Sequence, residues 1–67
     1  MRKNLYFLNQ FDEFIGIKRE CTKQEAYKEV YDFLKKHNFK SHYIRTWTEN
    51  KELWIDFGSH TSFFIWK

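Results

Sequence analysis

One stretch of this chain constrains the rest: Thr22-Lys23-Gln24-Glu25, followed by Ala26, Tyr27, Val30, Phe33 and Leu34 at spacings of three and four. The first four residues fit a capping box, in which the Thr22 hydroxyl accepts from the Glu25 backbone N–H and the Glu25 carboxylate accepts from that of Thr22. The apolar residues then form one stripe of a helix, with Gln24, Glu25, Lys28, Glu29, Asp32, Lys35 and Lys36 on the other side. Lys28 with Asp32, and Asp32 with Lys36, stand four apart as helix ion pairs do. Lys35 and Lys36 suit the negative end of the helix dipole, and Asn38 is a left-handed stop. A helix with a single apolar stripe must lay it on something, and the rest of the chain offers only strand-type segments.

Before the helix, residues 4 to 8 and 14 to 19 are rich in aromatic and branched side chains and predict a hairpin. Asn9, Gln10, Asp12 and Glu13 supply its turn, with Phe11 folded inward, and Gly16 marks a bulge or a close approach of backbone. After the helix, residues 42 to 48, 52 to 57 and 61 to 66 read as a three-stranded meander. Its turns fall around Glu49-Asn50 and at Gly58-Ser59-His60. The expectation is one α+β domain spanning residues 1 to 67, in the order ββαβββ, with the helix on one face of an antiparallel sheet. Alternation along the middle strand places Leu53, Ile55 and Phe57 under the helix and Glu52, Trp54 and Asp56 opposite. Ile44 joins the first set, together with either Phe63 and Ile65 or Phe64 and Trp66.

A domain of 67 residues buries only roughly 60% of the surface its unfolded chain exposes, so large side chains must do most of the packing. Aromatic residues are 22% of the chain, more than one helix can cover. A helix is about 10 to 12 Å across, whereas four or five strands at about 4.8 Å spacing make a wider sheet with two faces. The rings left over belong on the far face. Tyr43, Arg45, Trp47, Trp54, Lys51 and Trp66 are the candidate binding residues, with Tyr6 beside them. A contiguous apolar surface of that kind marks an interaction site, a face covered by Lys and Arg stems, or a dimer of stacked sheets.

Other chemistry is thinly represented. Cys21 is the only cysteine, so neither an intramolecular disulfide nor a cysteine zinc motif can form. It reads as a small apolar residue at a strand-to-helix junction, with a reactive thiol as the alternative. Asp56, Ser59 and His60 include the residue types of a hydrolytic triad, but they crowd into one hairpin, and Gly58-Ser59-His60 reads as turn chemistry. His37, His42 and His60 bind a metal only if the fold gathers them. There is no phosphate-binding glycine loop, and the reading is a non-enzyme without a cofactor. A lone thiol and the lack of a signal-peptide pattern or of a long apolar run point to a cytoplasmic protein with no membrane partner.

The net charge of +3, spread along the chain, excludes a carboxylate-rich mimic of DNA and permits two kinds of partner. In the first reading Trp47, Trp54, Tyr43 and Arg45 anchor a partner protein. In the alternative, the rings stack single-stranded nucleic acid while Arg45, Lys40, Lys51, Arg2 and Lys3 meet its phosphates. The segment Asp56-Phe57-Gly58-Ser59-His60-Thr61-Ser62-Phe63-Phe64, the short linker-free length and the aromatic and lysine richness resemble the short accessory proteins of bacteriophages and mobile elements, anti-CRISPR proteins among them. The resemblance implies a non-enzymatic inhibitor that binds a host or defence protein, in the cytoplasm of a bacterial host.

Overall fold

A computed structural model describes residues 1–40, 43–59 and 61–67. Five strands and one helix follow in the order expected: β1 (Lys3–Leu8), β2 (Phe14–Cys21), α1 (Lys23–Lys36), β3 (Arg45–Glu49), β4 (Glu52–Asp56) and β5 (Phe63–Trp66). The strands form one antiparallel sheet in the order β2-β1-β5-β4-β3. The last strand is thus inserted beside the first, and β2 and β3 are left as the two edges. His42 and His60, with the expected strand start at 42 and part of the second turn, lie outside the described residues.

The helix begins as its sequence dictates. Thr22 Oγ1 accepts from the Glu25 N–H at 3.2 Å, and Glu25 Oε1 accepts from the Thr22 N–H at 2.8 Å. It ends where Asn38 turns left-handed at φ 53°. Ala26, Val30 and Leu34 are buried against the sheet, and Phe33 packs on Phe7 of β1 and Phe64 of β5 with ring centroids 5.1 and 5.2 Å apart. Its ion pairs run to the sheet side of the molecule, Lys18 to Glu29 at 3.4 Å and Arg2 to Glu25 at 3.8 Å, rather than along the helix from Asp32.

Leu53, Ile55 and Phe57 lie under the helix as alternation requires, and the choice left open in β5 falls to Phe64 and Trp66. Trp66, expected on the binding face, is therefore a core residue. It is 8% exposed and its indole Nε1 donates to the Cys21 carbonyl at 3.0 Å. The physical reason is parity. Trp66 pairs with Leu5 and Leu53, both of which face α1. Cys21, fully enclosed beside it, donates its thiol to the Lys3 carbonyl, and burial pushes its pKa up.

Two turns follow their side-chain chemistry. Asn9 Oδ1 accepts from the N–H groups of Phe11 and Glu13, closing the first hairpin. Phe11 itself is not folded inward; it is 71% exposed, because the Asn9-centred turn carries it past the end of the sheet. Ser59 Oγ accepts from the N–H groups of Thr61 and Ser62, and Gly58 adopts φ 95°. β2 slips register against β1 twice, leaving Ile17 and one residue of the Arg19-Glu20 step without a partner, and Glu20 sits at φ 49°. Gly16 thus marks a bulged strand, but a side chain there would meet nothing within 4 Å, so close approach is not its role.

Candidate functional site

The face opposite α1 is built by cross-strand register. Gly16, Tyr6, Ile65, Trp54 and Trp47 stand abreast, one from each strand from β2 to β3. Side chains in such a row are direct neighbours, close enough for rings to pack. Trp47 stacks on Trp54 with centroids 5.9 Å apart and planes inclined by 20°, and Phe63 meets both edge-on at 6.0 and 5.8 Å. At the other end of the row Tyr6 and Phe14 pack edge to face, with the Lys67 ammonium 4.2 Å from the Phe14 ring centroid.

This surface is not uniformly open. Ile65, flanked by Tyr6 and Trp54, is only 1% exposed, so the middle of the far face is a second, one-sided packing layer. Exposure rises toward β3: Trp54 is half-buried, Trp47 is 38% exposed and Tyr43, just before the strand, is 47% exposed. The three residues on which a binding face depends are therefore graded from half-covered to open.

Arg45 is held rather than free. Its Nη2 donates to Asp56 Oδ2 at 3.1 Å, and its guanidinium lies 5.3 Å from the Tyr43 ring centroid. The Asp56 hydrogen bond, with a smaller contribution from Tyr43, raises the arginine's pKa further. Asp56 is buried and also accepts from the Gly58 N–H at 2.9 Å, which ties the end of β4 to the following turn. Glu49 and Glu52 stand opposite each other on the same face, and Glu52 accepts from the Trp54 indole at 3.3 Å.

The other basic residues do not converge on these rings. Lys51 sits at the tip of the β3–β4 hairpin, its carbonyl accepting from Lys3 Nζ. Lys3 belongs to the helix side, over the Trp66 ring, and Arg2 reaches the Glu20 carbonyl and Glu25. Of the six residues marked in the sequence, Tyr43, Arg45, Trp47 and Trp54 come together, Lys51 lies at the margin and Trp66 is elsewhere.

Phe63, Phe14 and Lys67 complete the face. Phe63-Phe64-Ile65-Trp66 is apolar throughout, so its own composition does not separate the two sides of β5. Lys67 does: it shares parity with Phe63 and Ile65, and a charged side chain belongs on the side the helix does not cover. Among the described residues no three His, Cys, Asp or Glu side chains gather as a metal site, and no described helix is long and apolar enough to cross a membrane. Compared with protein-family models, curated proteins and solved structures, the chain gives no match to any of them.

Proposed function

We propose that this chain is a non-enzymatic binding protein, an inhibitor or modulator of the phage accessory kind, that docks on a host or defence protein in the bacterial cytoplasm through the face around Trp47 and Trp54. The observation that carries the reading is the graded cluster of Tyr43, Trp47, Trp54 and Phe63 beside a held arginine. Aromatic and arginine side chains of this kind dominate the energetics of protein interfaces, where they act as anchors in desolvated pockets. Arg45 is fixed by Asp56 and Tyr43 before any partner arrives, which lowers the ordering cost of binding.

Charge favours a protein over a nucleic acid. The same face carries Glu49, Glu52 and Asp56, and its one arginine is already paired. Phosphates approaching Trp54 would meet two adjacent carboxylates, whereas Lys51 lies at the margin, Lys3 on the helix side and Lys67 at the opposite end of the face, over Phe14. Titration with oligo(dT) or oligo(rU) at low salt should leave tryptophan fluorescence unchanged. A saturable, salt-sensitive quench would support the nucleic-acid reading instead.

The direct test is affinity capture from bacterial lysate with the wild type and a Trp47→Ala/Trp54→Ala variant, folding being checked by circular dichroism. Partners retained by the wild type should be lost by the variant. If the folded variant keeps all of them, the face is not the site.

A further inference from the structure

The two edges of the sheet differ in a way that singles out β3. Exposed sheet edges present unpaired N–H and C=O groups that template pairing with another strand, and bulges are one of the devices that prevent it. β2 carries two register slips and a left-handed Glu20. β3 carries no such protection: Arg45 to Glu49 pair one-to-one with Asp56 to Glu52, and all five residues are exposed. Its sequence, Arg45-Thr46-Trp47-Thr48-Glu49, is complementary to itself when reversed.

We propose that β3 pairs antiparallel with β3 of a second copy of this chain, on a two-fold axis through Trp47. In that register Arg45 faces the partner's Glu49, Thr46 faces the partner's Thr48, and Trp47 faces the partner's Trp47. Every cross-strand pair is of a favourable type: opposite charges at both ends, threonines between them, aromatics at the centre. The interface is isologous, as a closed dimer requires. It also gives Glu49, whose partner in the β3–β4 register is Glu52, a cationic neighbour.

Backbone geometry agrees with the side chains. Asn50 and Lys51 both have positive φ, 51° and 65°, as in a two-residue type I′ hairpin. Such a hairpin closes on a hydrogen-bonded pair, here Glu49 and Glu52. Alternation then makes Trp47–Trp54 a second hydrogen-bonded pair and turns the N–H and C=O groups of Thr46 and Thr48 outward. In the proposed register those two residues meet each other's counterparts, forming two hydrogen-bonded pairs on either side of a non-hydrogen-bonded Trp47 pair. The result is a ten-stranded sheet whose two aromatic faces run together across the axis. A strand pair alone makes a small interface, so the dimer is weak and depends on concentration.

Sedimentation equilibrium across micromolar to millimolar protein tests the pairing, with each variant's fold confirmed by circular dichroism. The wild type should shift from its 8.5 kDa chain mass toward twice that value. Glu49→Lys, which sets like charges opposite at both ends, should weaken association about tenfold. Thr48→Pro removes an outward donor without touching the β3–β4 ladder, and should stay folded but monomeric. Trp47→Cys should cross-link to its copy on mild oxidation with diamide, since facing residues of a non-hydrogen-bonded pair are about 4.5 Å apart at Cα. Thr46→Cys, lying off the axis, should not. A monomeric wild type would overturn the proposal. So would a dimer that Thr48→Pro leaves intact and Trp54→Ala abolishes, which would mean that the sheets stack face to face.

Discussion

Lys51 holds its backbone at φ 65°, a conformation that costs a residue with a Cβ roughly 1–2 kcal/mol and glycine almost nothing. A type I′ hairpin needs this conformation at both central positions, and Asn50 tolerates it where Lys51 does not. Replacing Lys51 by Gly should raise stability by about 0.5–1 kcal/mol in urea denaturation, since the Lys3 ammonium bonds to the Lys51 carbonyl and not to its side chain. An unchanged or lower midpoint would count against the turn. The sequence places a turn at Glu49-Asn50, one residue early, because without the glycine that usually marks such a turn nothing distinguishes the two positions. Cys21 makes a different test. Enclosed under α1, with a thiol pKa raised mainly by burial, it should react with Ellman's reagent only at the rate of unfolding and promptly in denaturant. Fast reaction of the native protein would mean that the β2–α1 junction opens.

Among the elements, α1 is the one whose start, face and stop are all legible in the sequence, because capping and stripe are local chemistry. Thr22→Ala should cost about 1 kcal/mol, read from the thermal midpoint. Glu25 adds a pH dependence of definite sign. The Thr22 N–H, then the Thr22 hydroxyl and Arg2, hold its carboxyl below the ordinary glutamate pKa in the folded state. Its contribution is therefore present above the unfolded glutamate pKa and lost as pH falls through the lower, folded value. Acid titration of Glu25→Gln, which keeps the capping acceptor without the charge, should show a smaller loss of stability over that range. An identical acid limb in both proteins would remove Glu25 as its source. The strands were legible to a lesser degree. Polar residues alternate in β4, so Trp54 and Asp56 could be set apart from Leu53 and Ile55. They do not alternate in β5, so nothing within that strand places Trp66 beneath the helix rather than outside. Sheet order was not legible either, since strand-type sequence in β5 carries no signal that it inserts beside β1.

At the scale of the whole molecule, aromatic surplus and binding surface turn out to be separate quantities. Much of the surplus is consumed beneath the helix, where Phe7, Phe33, Phe57, Phe64 and Trp66 pack together and Phe39 meets Phe57 edge-on at 5.1 Å. On the far face, Ile65 is 1% exposed, as enclosed as Val30 of α1, although it stands outside the cluster beneath the helix. The cost of truncation should follow enclosure and not the side of the sheet. Ile65→Ala should destabilise by about 2–5 kcal/mol, comparable with about 3–5 kcal/mol for Phe64→Ala on the opposite face. Trp47→Ala removes a larger ring but mainly loses pair contacts with Trp54 and Phe63, and should cost about 1 kcal/mol. Urea denaturation of the three variants separates two pictures. If Ile65→Ala proves mild, the far face is a loose apolar surface and its centre is available to a partner. If it is severe while Trp47→Ala is mild, the centre belongs to the fold and binding is confined to the β3 side. There Tyr43, Arg45 and Trp47 can be given up to a partner without giving up the structure that presents them.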